Sequence, residues 1–145
     1  MEVKFLKTHP DAVLPTQNNK SNLTGDTGLD VTAVEDTIVP ARGAIIVPVG
    51  LKLAYVTPGF WIRIESRSGL QFKHNIHAFP GIIDNQYRGD MGIRLINNND
   101  QDYLVSKGDR IAQLVVYQLI VPSTCIVEQI DETDRGERGF GSSGK

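Results

Sequence analysis

FWIRIE, residues 60–65, alternates strictly: Phe60, Ile62 and Ile64 fall on one side of an extended chain, and Trp61, Arg63 and Glu65 on the other. A period of two is the mark of a strand with one buried face. The runs MGIRLIN (91–97) and IAQLVVYQLIV (111–121) are rich in β-branched residues and too short for long helices. Between such runs stand turn signals: Pro40, Gly43, Pro48, Gly50, Pro58-Gly59, Pro80-Gly81, Arg88-Gly89-Asp90 and Lys107-Gly108-Asp109. Short strands at this spacing predict an all-β sandwich or barrel. One brief helix is expected, around Ser68 to Lys73. Small β domains leave strand edges and apolar faces that symmetric association commonly covers.

The 145 residues suit one domain with a real core, and 40% hydrophobic and 22% charged residues are ordinary for a globular chain. A net charge of −2 gives no electrostatic case for a nucleic-acid or membrane-surface partner, although a local basic cluster can still bind a small anion. Cys125 is the only cysteine, so neither an intramolecular disulfide nor a Cys-based metal site is expected. His9, His74 and His77 lack a zinc-like arrangement. The N-terminal MEVKFLKTHP has no signal-peptide core, and no apolar run approaches the roughly 18 residues of a membrane helix. A cytoplasmic protein is expected, with a nuclear one possible in a eukaryotic or viral setting.

Five segments carry candidate chemistry. GDTGLDV (25–31) turns on Gly25 and Gly28 into a strand, with Asp30 near its start as a turn carboxylate or a site residue. SRSGL (66–70) follows the FWIRIE strand. Its hydroxyls, the Arg67 guanidinium and the backbone N–H groups at Ser68 and Gly69 suit a small anion, while Ser66 or Ser68 equally suits a helix cap. PGIIDNQYRGDMGIRL (80–95) reads as a hairpin with Asp84, Asn85 and Gln86 at its tip and Tyr87 just beyond. Gly81, Gly89 and Gly92 would let its arms approach a ligand, and exposed backbone there can read the edge of a planar base. In KGDRIAQLVV (107–116), Gln113 interrupts a core strand and points either outward or into a polar pocket; Asp109 and Arg110 read as a structural turn pair. The last stretch, DETDRGERGFGSSGK (131–145), cannot build a core. It is either a frayed end or a glycine-rich phosphate binder, with Arg135, Arg138, Ser142 and Ser143 as polar groups and Phe140 as a stacking ring.

In order and spacing, TGLDV, SRSGL, GIIDNQYRGD, GDRIAQLV and RGERGFGSS closely resemble the five motifs of the trimeric deoxyuridine triphosphatases (dUTPases), from about residue 25 to residue 144. Departures are Thr27 and Leu29 in the first motif, Ser66 for a usual proline in the second, and Asn85 and Gln86 where acidic residues are frequent. Glu137-Arg138 is the fourth, in the last motif. The resemblance implies a jelly-roll-like β subunit with one short helix in a threefold homotrimer. It divides the chain into a β domain over 1–130 and a flexible arm over 131–145 that closes over an interface active site.

The implied reaction is hydrolysis of dUTP to dUMP and pyrophosphate by water attack at the α-phosphate, which keeps uracil out of DNA and supplies dUMP for dTMP synthesis. Asp84 is the implied general base, Tyr87 the face against deoxyribose, and the backbone at Gly81 and Gly92 the reader of uracil. Arg67, Ser68, Gly69 and Gln113 hold phosphates. Mg²⁺ rides on phosphate oxygens with Asp30 bound to its waters. Arg135, Gly141, Ser142 and Ser143 meet the γ-phosphate, and Phe140 covers the base. The dCTP deaminases, which share this fold, and a nucleotide-binding regulator are the alternatives.

Overall fold

The computed structural model describes residues 1–19, 24–134 and 136–137. Among these the chain runs through β1 (Val3–Lys7), β2 (Leu29–Thr32), β3 (Thr37–Val39), β4 (Ala44–Val56) and β5 (Phe60–Glu65). Then come α1 (Ser68–His74), β6 (Ile76–Ala78), β7 (Gly81–Ile83), β8 (Asp90–Asn97), β9 (Tyr103–Val105) and β10 (Arg110–Gln118). Two four-stranded sheets, β1-β4-β8-β6 and β2-β10-β5-β7, carry the fold, and β3 with β9 forms a separate pair. Neither sheet closes on itself, so the all-β expectation resolves as an open sandwich. No helix among the described residues is long and apolar enough to cross a membrane.

Alternation builds the core. Val47, Val49, Leu51 and Leu53 of β4 and Met91, Ile93 and Leu95 of β8 turn inward from one sheet. Val31 of β2, Ile62 of β5 and Leu114 of β10 meet them from the other. Burying side chains of this size contributes roughly 1.5–3 kcal/mol each before entropy is charged against it. Asn97 is the polar exception: its Nδ2 donates to Val39 O (3.1 Å) and Gln101 O (2.8 Å), and its Oδ1 accepts from Asn99 N (2.9 Å). A buried amide satisfied on both ends joins three segments at little cost.

Three local expectations are corrected. Pro48 and Gly50 do not end a strand: β4 runs through both, its pairing with β8 slipping between Pro48 and Lys52. A bulge accommodates the missing proline N–H and the positive φ of 64° at Gly50. The run 111–121 leaves the sheet at Gln118, so Leu119, Ile120 and Val121 are exposed. Residues 80–95 are not a hairpin. Strand β7 pairs with β5 and β8 with β4 and β6, so the segment arches from one sheet to the other. Only Ile83 of the two isoleucines before Asp84 is buried, because neighbours on a strand face opposite ways.

Candidate functional site

The sheet β2-β10-β5-β7 places the ends of β2, β5 and β10 side by side. Gln113 stands opposite Asp30 on one flank and Glu65 on the other. The chain therefore leaves β5 at Ser66 directly beside the carboxylate of β2. Here α1 begins, with Arg67 in extended conformation as its N-cap and no side-chain cap bond. Neither serine caps the helix: Ser66 Oγ accepts from Ala78 N (3.0 Å) and donates to Ala78 O (3.1 Å). Ser68 and Gly69 are left facing solvent. At the other end Asn75 takes the left-handed conformation that stops the helix.

A polar pocket of about 360 Å³ results, lined by Asn18, Asp26, Thr27, Gly28, Asp30, Arg67, Ser68, Gly69 and Gln113. It brings together five of the candidate binding residues, Asp30, Arg67, Ser68, Gly69 and Gln113, drawn from three distant segments. Arg67 grips Asp30 with two hydrogen bonds, Nε to Oδ1 at 2.9 Å and Nη2 to Oδ2 at 3.3 Å, and donates a third to Arg110 O at 3.0 Å. The Asp30 side chain is only 14% exposed, and a carboxylate so enclosed needs such partners. Gln113 Nε2 donates to Ser66 O (2.9 Å), which turns its carbonyl end toward Gly28. A methyl group at Gly28 would stand 2.8 Å from Gln113 Cβ, so only glycine leaves that side chain its place.

Sequence reasoning missed part of this pocket. Asp109 is the expected turn residue, its carboxylate accepting from Ser106 N (2.9 Å). Arg110 is not: Nη1 reaches Asp30 Oδ2 (3.2 Å) and Asn18 Oδ1 (2.7 Å). Asn18 and Asp26 arrive on a loop without periodicity, pinned by Gln17 Nε2 to Asp26 O and Asn19 N to Asp26 Oδ2 (3.0 Å). The pairing of β10 with β2 was the only signal for Arg110, and it is a long-range fact.

A second, more apolar recess of about 210 Å³ is lined by Ile64, Ile82, Ile83, Tyr87, Asp90, Met91 and Gly92. It belongs to the arch between β7 and β8. Tyr87 folds back over Gly89 and donates its hydroxyl to Asp90 O (2.8 Å); a methyl at Gly89 would meet that hydroxyl at 2.5 Å. The room at Gly89 thus serves the arch itself rather than a ligand. Gly81 pairs with Ile64 across the strands at the edge of this recess. Asp84 is exposed on the arch, and its carboxylate has no hydrogen-bond partner among the described residues. The two recesses share no residue. Arg135, Phe140, Gly141, Ser142 and Ser143, with Arg138, lie outside the described residues.

Fold and recesses define an open all-β sandwich that carries a polar, arginine-bearing pocket and a separate apolar, tyrosine-edged one. The chain belongs to the dUTPase family: the dUTPase family model matches residues 15–144. It is 42% identical over 141 residues to the deoxyuridine 5'-triphosphate nucleotidohydrolase of Arabidopsis thaliana, covering 97% of this chain and 82% of that one. To the enzyme of the same name from Wolinella succinogenes it is 42% identical over 147 residues, covering 100% and 95%. Among solved structures, the dUTPase of Staphylococcus bacteriophage 80alpha with dUPNHPP superposes with a TM-score of 0.84 at 24% identity, covering 99% of each chain. A mutant dUTPase of phage phi11 of S. aureus, with a coordinated structural Mg(II) ion, superposes at 0.78 with 20% identity, over 91% of this chain and 100% of that one. At those identities the likeness is one of fold.

Proposed function

We propose that this chain hydrolyses dUTP to dUMP and pyrophosphate. The observation that carries the reading is the convergence of Asp30, Arg67, Ser68, Gly69 and Gln113 in one polar pocket. Family membership and relatives that carry the dUTP nucleotidohydrolase name support it.

The chemistry follows from what these groups can do. Water is a weak nucleophile and the α-phosphorus is shielded by anionic oxygens, so positioning and charge compensation must supply most of the acceleration. Asp84 takes the water's proton as its oxygen bonds to phosphorus. The bond from that phosphorus to the bridging oxygen breaks, and pyrophosphate leaves. A carboxylate with no competing partner among the described residues is suited to that transfer. Tyr87 presents its ring to the deoxyribose, leaving no room for a 2′-hydroxyl. The backbone at Gly81 and Gly92 reads the uracil edge and rejects cytosine by donor–acceptor mismatch. Arg67, Ser68, Gly69 and Gln113 hold the phosphates.

Charge in the pocket bears on the metal. The carboxylates of Asp26 and Asp30 offset the guanidiniums of Arg67 and Arg110, so the pocket alone leaves a triphosphate largely uncompensated. A Mg²⁺ ion bound with the phosphates, its waters held by Asp30, would supply the missing positive charge and polarise the phosphoryl oxygens. The donors fit: they are oxygens, and no cluster of three or more His, Cys, Asp or Glu among the described residues would strip the ion of its waters. Asp30 Oδ1 accepts a single bond from Arg67 and keeps capacity for a water of that ion.

The site is read as shared between three copies in a threefold trimer, each giving a different part. Two observations support this. The polar and apolar recesses are separate within one chain. Apolar side chains at Ile120, Val121, Ile126 and Ile130 are 78–101% exposed and call for a covering partner. Residues 131–145 are read as an arm that closes the site, with Arg135, Gly141, Ser142 and Ser143 on the γ-phosphate and Phe140 over the base. A substrate drawn from the nucleotide pools supports a cytoplasmic setting, or a nuclear one in a eukaryotic or viral source.

Pyrophosphate release measured on dUTP, UTP, dCTP and dTTP tests the activity, with release expected from dUTP alone. Ammonia from dCTP would point to the deaminase instead. Asp84→Asn should lower kcat by about 100-fold or more while leaving dUMP binding in place. Turnover near wild type in that variant sinks the base assignment.

A further inference from the structure

Among the described residues nothing holds the carboxylate of Asp84, so its place is dictated by its two neighbours. On one side Ile83 is anchored in the core and pairs with Ile62 of β5. On the other side stands Asn85, which departs from the acidic residues that the resembling motif often carries there. Its half-buried amide is not a generic turn group. Nδ2 lies 3.1 Å from Val56 O, 3.3 Å from Thr57 O and 3.3 Å from Phe60 O. Those three carbonyls mark the end of β4, the turn after it and the start of β5.

Two amide protons thus meet three acceptors in the hollow of the β4–β5 turn. The turn is itself closed by Phe60 N to Thr57 O (3.2 Å) and tied to the N-terminal segment by Thr57 N to Glu2 O (3.0 Å). The far side of the arch leans on the same residue. Arg88 Nη1 donates to Asn85 O and to Tyr87 O, both at 2.8 Å, and Tyr87 N returns to Asp84 O at 3.0 Å. Asn85 is therefore the point at which the arch that carries Asp84 and Tyr87 is fastened to the rigid part of both sheets. A carboxylate, as Asp or Glu would bring, has no proton for three carbonyls.

We infer that Asn85 is a positioning residue for the reaction: its side chain fixes the backbone of Asp84, and so the reach of the base toward the attacking water, without itself touching substrate. The inference rests on the reading of Asp84 as the base. Its signature is a split between parameters. The phosphates draw on the polar pocket, which Asn85 does not touch, and the Tyr87 ring is held separately by its hydroxyl on Asp90 O (2.8 Å), whereas the catalytic step depends on a carboxylate placed to a fraction of an ångström.

The test compares wild type, Asn85→Ala, Asp84→Asn and, as a neighbouring control, Gln86→Ala. Measured are kcat and KM for dUTP, the Kd of dUMP, the pH–rate profile and the thermal midpoint. Asn85→Ala is expected to lower kcat by about tenfold, with KM and the dUMP Kd within about twofold. The pH–rate profile should keep its shape while its plateau drops, because the same group does the chemistry from a poorer position. Gln86→Ala should match wild type throughout. A folded Asn85→Ala with wild-type kcat overturns the inference. So does a variant that does not fold, or one in which kcat, dUMP affinity and thermal midpoint fall together, since Asn85 is then a structural fastener. Asp84→Asn keeps the two readings apart. Retained turnover there removes the base, whereas a dead Asp84→Asn beside a fully active Asn85→Ala removes only the positioning role.

Discussion

Asp30 shows how much one residue's meaning depends on its partners. As a carboxylate beside glycines it reads first as a turn residue and only second as a site residue; in the structure it accepts from two arginines at once. Arg110 is the partner its own segment did not disclose, and without it Asp30 faces the pocket with one cation instead of two. Arg110→Ala is expected to raise KM for dUTP several-fold, with a smaller effect on kcat, by loosening both Asp30 and Asn18. Steady-state kinetics would decide it, and an unchanged KM would make Arg110 a bystander. Gly28 offers a sharper case. Gly28→Ala puts a methyl 2.8 Å from Gln113 Cβ, and the side chain of Gln113 must leave the pocket or the two strands must part. We expect a loss of about 1–3 kcal/mol in stability together with reduced turnover. A variant with both unchanged would show that Gln113 has room elsewhere.

At the scale of elements, what the sequence discloses is whatever is local. The strict alternation of FWIRIE returns as β5, and Ser68–His74 is the one short helix among the described residues, a residue longer than the Ser68-to-Lys73 stretch expected. Period and capping act within a few residues, so they survive without knowledge of the rest. Pairing does not. Gly-rich punctuation around 80–95 is compatible with a hairpin and with an arch. The choice was made by β4 and β6, which claim both edges of β8 and leave β7 to β5. The same holds for the site: Arg67, Ser68 and Gln113 were legible because their own segments mark them, while Asn18 and Arg110 became visible only through the register of β2 with β10. Ser66 belongs to this scale too, since its hydroxyl joins the end of β5 to the buried backbone of β6. Ser66→Ala leaves both groups of Ala78 without that partner and should cost about 1–3 kcal/mol. Thermal midpoints compared at equal protein concentration would register it.

For the whole molecule the question is where one active site begins and another ends. If a site drew only on one chain, the polar pocket and the arch would have to act together across a chain that keeps them as separate recesses. If it is shared within a trimer, two inactive variants should repair each other. Asp84→Asn lacks the base but keeps an intact phosphate pocket, and Arg67→Ala has the reverse defect. In trimers refolded from an equal mixture, a site that takes its arch from one subunit and its pocket from another is intact when both donors happen to be sound. For random assembly that is about a quarter of the sites, so about a quarter of wild-type activity should return. Mixing without subunit exchange should return none, which ties the recovery to assembly rather than to residual activity of either parent. A refolded mixture as inactive as its parents would place both halves of the site in one chain and end the shared-site reading, whatever the oligomeric state proves to be.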